Sequence, residues 1–239
     1  MSQTSPVIVA LDFPSETETM QLVDQLEPSL CRLKVGKELF TRCGPALVKK
    51  LVDKGFDVFL DLKYHDIPNT VAHACAAAAD LGVWMLNVHA LGGEKMMVAA
   101  RQALSENDSP LLIAVTWLTS SGQPELDALG INATPLQMVS RLALMTKNSG
   151  LDGIVCSAQE APYIRQELGG SLGSEFLLVT PGIRPAAAQF SGASKDDQCR
   201  VATPAQAIKD GASYLVIGRP VTQADDPCRI LRTIISDII

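Results

Sequence analysis

Eight short apolar segments recur along the chain, separated by stretches long enough to hold a helix. Each is about five to seven residues long and almost continuously apolar, as expected for strands buried on both faces of a sheet. The stretches between them show helical periodicity, as at Met138, Leu142 and Met145. The apolar segments begin near Val7, Leu33, Val58, Trp84, Leu111, Gly153, Phe176 and Tyr214.

Eight alternating β and α units without a break in composition predict an α/β fold, a single-domain (β/α)8 TIM barrel over residues 1–239. A doubly wound open sheet is the structural alternative. It is disfavoured because no glycine-rich phosphate-binding fingerprint follows the first strand. In a barrel of this kind the active site forms at the carboxyl ends of the strands, so those ends are where chemistry is expected.

The third strand changes character along its length. Side chains at alternate positions share a face, so Phe59, Asp61 and Lys63 point the same way. Asp66 follows, which completes a D-x-K-x-x-D pattern at the carboxyl end of the strand. A solvated ion pair is the ordinary explanation of such a pattern, but charges at the end of a buried strand favour a site. The opposite face is aliphatic: Val58, Leu60 and Leu62.

Other strand ends add polar groups that would meet at the same rim. His89 also ends a strand, but a lone histidine there is more often structural, and we assign it no chemistry. The long connection from Pro181 to Arg200 has the composition of a lid or binding loop, with a disordered surface insertion as the alternative. The candidate residues at the rim are Asp12, Lys34, Thr119, Ser120, Arg184, Gly218 and Arg219.

Composition narrows the function classes. The net charge of −6 and the pI of about 5.1 argue against a nucleic-acid partner. The six cysteines match no zinc-binding spacing, and we expect reduced, mostly buried thiols. No signal peptide or membrane span is recognisable, so we expect a cytoplasmic protein without a membrane partner.

The segment Asp61-Leu62-Lys63-Tyr64-His65-Asp66-Ile67-Pro68-Asn69-Thr70 closely resembles the signature of the orotidine 5'-phosphate decarboxylase family. The resemblance covers essentially the whole chain and looks like the bacterial branch. Its further motifs are Ala10-Leu11-Asp12, Arg32-Leu33-Lys34-Val35-Gly36-Lys37, Pro181-Gly182-Ile183-Arg184 and Ile217-Gly218-Arg219-Pro220.

The resemblance implies conversion of orotidine 5'-phosphate to uridine 5'-phosphate without metal or cofactor. It makes Lys63 the proton donor to C6, with Asp61 beside the substrate carboxylate. Lys34 would bridge Asp61 and the ribose, and Asp12 would bind the ribose. The resemblance also implies a homodimer in which Asp66 and Thr70 reach the partner's site. The remaining substrate contacts would be Thr119 and Ser120 at the pyrimidine, and Gln198, Arg184, Gly218 and Arg219 at the phosphate.

Two other functions stay open from the sequence. One is a metal-dependent sugar-phosphate decarboxylase or aldolase of the same barrel superfamily, since D-x-K-x-x-D alone also occurs there. The other is a non-catalytic barrel that binds a nucleotide.

Overall fold

The computed structural model describes residues 5–104, 109–185 and 201–238. Its strands form one closed parallel barrel in the order in which they occur along the chain, and the last strand pairs with the first. The (β/α)8 prediction is therefore confirmed, and every strand begins within one residue of its predicted start. The strands are β1 Val7–Ala10, β2 Arg32–Gly36, β3 Val58–Tyr64, β4 Met85–His89, β5 Leu111–Val115, β6 Gly153–Val155, β7 Leu177–Thr180 and β8 Tyr214–Ile217.

Helices surround the barrel, and several begin where the sequence provides a start signal. Thr134 caps one of them, because its hydroxyl accepts a hydrogen bond from the Gln137 N–H while the Gln137 side chain accepts one from the Thr134 N–H. The helices are α1 Glu16–Val23, α2 Lys37–Asp53, α3 Pro68–Ala79, α4 Glu94–Gln102, α5 Gln123–Ala128, α6 Pro135–Asn148, α7 Ala161–Leu172, α8 Pro204–Lys209, α9 Arg219–Thr222 and α10 Pro227–Ile238.

Helix α2 is interrupted within its length. Gly44 has a φ of 67° and is followed by Pro45, which cannot donate a helical hydrogen bond. Within the described residues, no helix combines the length and the apolar character needed to cross a membrane.

The core has two layers, because the two faces of each strand look in opposite directions. Leu33, Val58 and Leu60 point outward and pack under the helices. The inward-facing residues form a separate plug inside the barrel. That plug fills the middle of the barrel, as in other barrels of this class, so the polar inward positions lie at its two ends. The buried members of the plug are Ile8, Phe59, Met85, Ile113 and Val179.

Candidate active site

A cavity of about 990 Å³ opens at the carboxyl ends of the strands. Its floor is apolar and its wall is charged. Strand β3 contributes to both, since Phe59 lies in the floor while Asp61 and Lys63 continue up the wall. The predicted alternation of β3 thus determines which side chains reach the cavity. The rest of the apolar lining includes Val115, Trp117, Val155, Val179 and Val216.

Four charged side chains of alternating sign form a continuous chain in this wall. The Lys34 ammonium lies 3.1 Å from Asp12 Oδ1 and 3.5 Å from Asp61 Oδ2. The Lys63 ammonium lies 2.6 Å from Asp61 Oδ1. Asp61 therefore lies between two cations, which offset the cost of burying its carboxylate, while Asp12 at the end of the chain of charges is exposed.

Asp61 stays ionised although it is nearly buried. Burial alone would raise the pKa of its carboxyl group, but the positive charges of Lys34 and Lys63 lower it. Hydrogen bonds from Lys63 and Asn87 lower it further, and the net pKa is below the ordinary value. The site therefore presents a fixed anion beside two ammonium groups.

Lys63 has an unusual backbone conformation. Its φ of 53° is the one positive value among the non-glycine residues that the structure describes. The pairing of β3 with β4 is irregular here, because the register shifts between Leu60 and Tyr64. A left-handed residue with a side chain costs roughly 1–2 kcal/mol, and such outliers concentrate at functional sites.

Gly36 keeps the space beside Lys34 open. A Cβ atom at this position would lie 3.1 Å from Lys34 Nζ and 3.5 Å from Asp12 Oδ1. A side chain at position 36 would therefore press on the Lys34 ammonium, which would have to shift by a few tenths of an ångström.

Two arginines face the cavity from the loops after β7 and β8. Arg184, Gly218 and Arg219 all line it, and Arg219 is the first residue of the short helix α9. The ends of the connection after β7 are joined, because the Arg184 N–H donates to the Ala202 carbonyl at 2.9 Å. Gln198 and most of the predicted lid lie outside the described residues.

The loop after β5 reaches the same cavity. Thr119 and Ser120 line it beside Leu118, whose side chain is exposed. The cavity is therefore lined by hydroxyl groups after β5 and by guanidinium groups after β7 and β8, in addition to the charged side chains of β3.

Asp66 and Thr70 do not line this cavity. Residues 65–70 are exposed and follow shortly after Lys63, which lines the cavity. The Asp66 carboxylate accepts the N–H of Ile67 at 2.6 Å and forms no ion pair with another described residue. Ile67 is 66% exposed, and Leu91 on the neighbouring loop is 40% exposed. In a single chain, this part of the signature is therefore exposed to solvent.

Two histidines stack beside the charged wall. The ring centroids of His65 and His89 are 5.5 Å apart. Burial lowers the pKa of His89 to about 4, and the electrostatic influence of the neighbouring His65, Lys37 and Lys63 acts in the same direction. His89 is therefore neutral at physiological pH.

Asn87 is a member of the site that the sequence reasoning did not assign. Its side chain is fully buried and contacts both Asp61 and the Lys63 backbone. The alternation of β4 contained a signal, since a polar residue two positions after the inward-facing Met85 must also point inward.

A (β/α)8 barrel with an alternating charge array and two arginines at its carboxyl end is typical of barrel enzymes that bind a phosphorylated substrate. Comparisons with known proteins specify the family. Residues 5–234 match the model of the orotidine 5'-phosphate decarboxylase / HUMPS family. The chain belongs to this family.

Individual relatives agree over nearly the whole length. The orotidine 5'-phosphate decarboxylase of Nitrosococcus oceani is 60% identical over 237 residues, covering 99% of this chain and 98% of the relative. That of Saccharophagus degradans is 59% identical, covering 97% and 94%. The crystal structure of orotidine 5'-phosphate decarboxylase from Lactobacillus acidophilus superposes with a TM-score of 0.82 at 38% identity, covering 98% and 99%.

Proposed function

We propose that this protein decarboxylates orotidine 5'-phosphate to uridine 5'-phosphate, the last step of de novo pyrimidine synthesis, in the cytoplasm and without metal or cofactor. The observation that carries the proposal is the Lys63 ammonium, which lies 2.6 Å from a nearly buried carboxylate inside the cavity. Membership of the family supplies the reaction and the substrate.

In the proposed reaction the bond between C6 and the substrate carboxyl group breaks, and its electron pair stays on C6. That pair lies in the plane of the ring, where the π system cannot delocalise it. A fixed ammonium stabilises the charge as it develops. Lys63 then transfers a proton to C6 and becomes a neutral amine, which regains a proton from solvent.

The neighbouring charges have distinct roles in this proposal. Asp61 lies against the departing carboxylate and holds Lys63. Lys34 bridges Asp61 and the ribose hydroxyls, and Asp12 binds the ribose. Their support is the unbroken chain of contacts of 3.5 Å or less that joins the four side chains.

The rest of the substrate fits the remaining lining of the cavity. Arg184, Gly218 and Arg219 would bind the phosphate, since guanidinium groups form strong charge-assisted bonds to phosphate oxygens. Gln198 would join them from the connection after β7. Thr119 and Ser120, in the loop after β5, would contact the pyrimidine.

We further propose that the active unit is a homodimer in which Asp66 and Thr70 act in the partner's site. Support comes from their exposure shortly after Lys63 in the chain, together with the exposed apolar side chains of Ile67 and Leu91. A second copy that covers this face would bury apolar surface and add a carboxylate to the site.

The reaction is tested by following the ultraviolet absorbance of orotidine 5'-phosphate with purified protein in the presence of a chelator. Full turnover is expected. Turnover that appears only after a divalent metal is added would favour a metal-dependent relative of the same superfamily. Tight binding of uridine 5'-phosphate without turnover would indicate a non-catalytic nucleotide-binding barrel.

Site sharing is tested by mixing two inactive variants, Asp66→Ala and Lys63→Ala. Each hybrid dimer would contain one site with both residues intact, so partial activity is expected after subunit exchange. An absence of activity in a mixture shown to contain hybrid dimers would contradict the assignment of Asp66 to the partner's site.

A further inference from the structure

Asn87 touches both partners of the closest ion pair in the site. Its Oδ1 accepts the Lys63 N–H at 2.8 Å, and its Nδ2 donates to Asp61 Oδ1 at 2.7 Å. The two contacts fix the orientation of the amide, because a backbone N–H requires an acceptor and a carboxylate requires a donor. Asn87 itself is fully buried and does not line the cavity.

These contacts explain how the left-handed conformation at Lys63 is held. The register shift after Leu60 takes the Lys63 N–H out of regular pairing with β4. A buried N–H without a partner would be costly, and the Asn87 side chain replaces the missing strand contact. The same amide also fixes the carboxylate oxygen that lies 2.6 Å from the Lys63 ammonium.

We infer that Asn87 is a positioning residue for decarboxylation, which holds the Lys63 backbone and the Asp61 carboxylate in the arrangement that aims the ammonium at the substrate. The inference rests on the proposed role of Lys63. Asn87 does not touch the cavity, so its effect should fall on turnover rather than on substrate affinity.

Two substitutions separate this role from a merely structural one. Asn87→Leu keeps the approximate volume and removes both hydrogen bonds. We expect kcat to fall about 100-fold, the loss typical of a misplaced reacting group, while KM changes less than about threefold. Thr146→Val is the matched control, because it removes another fully buried hydrogen bond, from the Thr146 hydroxyl to the Leu142 carbonyl, in α6. It should lower stability and leave kcat unchanged.

Asn87→Asp is nearly isosteric and adds a test by pH. At high pH the new carboxylate keeps the acceptor for Lys63 but faces Asp61 as a second anion, so activity should be low. At lower pH the new carboxyl group takes up a proton and can donate to Asp61 as the amide does. The activity of this variant relative to wild type should therefore rise at least about tenfold as pH falls from about 9 to about 5.

A ratio that is independent of pH, or a wild-type kcat in Asn87→Leu, would overturn the inference. Should Asn87→Leu fail to fold, the pH profile of Asn87→Asp decides alone. Adding Asn87→Leu to Lys63→Ala distinguishes this inference from the mechanism on which it rests. If Asn87 acts through Lys63, adding Asn87→Leu should lower the residual kcat of Lys63→Ala only slightly further. Substantial turnover by Lys63→Ala alone would instead overturn the role of Lys63.

Discussion

Strand β2 places a buried cation towards each end of the barrel, and the surroundings of the two cations differ. Arg32 is the first residue of the strand and Lys34 lies two positions later on the same inward face, and both are less than a tenth exposed. Lys34 lies in the wall of an open cavity. Arg32 closes the opposite end within a packed aromatic cluster.

Arg32 is stabilised by two aromatic rings and by contacts with an anion and a carbonyl group. Its guanidinium carbon lies 4.4 Å from the ring centroid of Trp84 and 5.0 Å from that of Tyr214. Its Nε lies 3.2 Å from Asp57 Oδ2, an ionic contact whose geometry falls outside that of a hydrogen bond, and its NH1 donates to the Ser5 carbonyl.

The difference shows what each end is built to do. At the amino end the charge of Arg32 is offset within the protein by Asp57 and by two aromatic rings, which stabilises the fold. At the carboxyl end the side chain of Lys63 is 28% exposed within the cavity and its backbone is left-handed, so part of the favourable interaction is left for a ligand. Substitutions at the two ends should therefore separate activity from stability.

The largest expected effect is the loss of turnover in Lys63→Ala. Removing one preorganised charged donor typically costs about 100- to 1000-fold in kcat, and the proton donor itself should cost at least that much. Asp61 keeps Lys34 and Asn87 as partners, so the melting temperature should change little. Steady-state kinetics and thermal melts check both parts, and near-wild-type turnover would contradict the mechanism.

The opposite result is expected for Arg32→Leu. Loss of two cation–π contacts and one partly buried ion pair should lower the free energy of unfolding by about 2–4 kcal/mol. The kcat of the folded fraction should stay at the wild-type value. Denaturant titration measures the loss. The free energy of unfolding of Arg32→Lys, which keeps the charge but not the planar stack, should lie between those of wild type and Arg32→Leu. A large drop in kcat at unchanged stability would show that the two ends are not separate.

The fold could be predicted from the sequence because strands buried on both faces leave a strong local signal. The eight apolar segments needed no knowledge of tertiary structure. The charge array was also predictable in outline, since alternation along β3 puts Asp61 and Lys63 on one face, and the carboxyl ends of parallel strands meet.

Other features depend on how strands pair, which the sequence does not display locally. The left-handed Lys63 follows from a register shift against β4, and a lysine gives no sign of it. The contact of Asn87 with the Lys63 N–H depends on the same shift. The position of Asp66 outside the cavity agrees with the family resemblance, which implies a role in a partner's site, but no local pattern around Asp66 indicates it.

The two ends should also differ in their response to acid. The pKa of His89 is lowered from 6.5 to about 4, so its imidazole stays neutral in the folded protein while the unfolded chain takes up a proton. Stability should therefore fall as pH drops from about 6.5 to about 4. The full pKa shift corresponds to about 3 kcal/mol, and solvent screening at the partly exposed ring reduces the expected loss to roughly 1–2 kcal/mol. His89→Gln should remove this loss, as measured by denaturant titration at both pH values.

The amino end supplies the control for that measurement. A guanidinium does not titrate in this range, so Arg32→Leu should retain the acid loss that His89→Gln removes. An acid loss of equal size in His89→Gln and in wild type would show that another group causes it.

The smallest expected effect concerns the backbone at Lys63, and it compares two inactive variants. Lys63→Gly and Lys63→Ala both remove the ammonium, but only glycine adopts a φ of 53° without steric cost. Lys63→Gly should therefore be more stable than Lys63→Ala by about 1 kcal/mol in denaturant titrations. Lys49, an exposed residue within α2, supplies the control, because there glycine should be less stable than alanine by about 1 kcal/mol. The same sign at both positions would mean that the carboxyl end holds no backbone strain, and the difference between the two ends would reduce to charge alone.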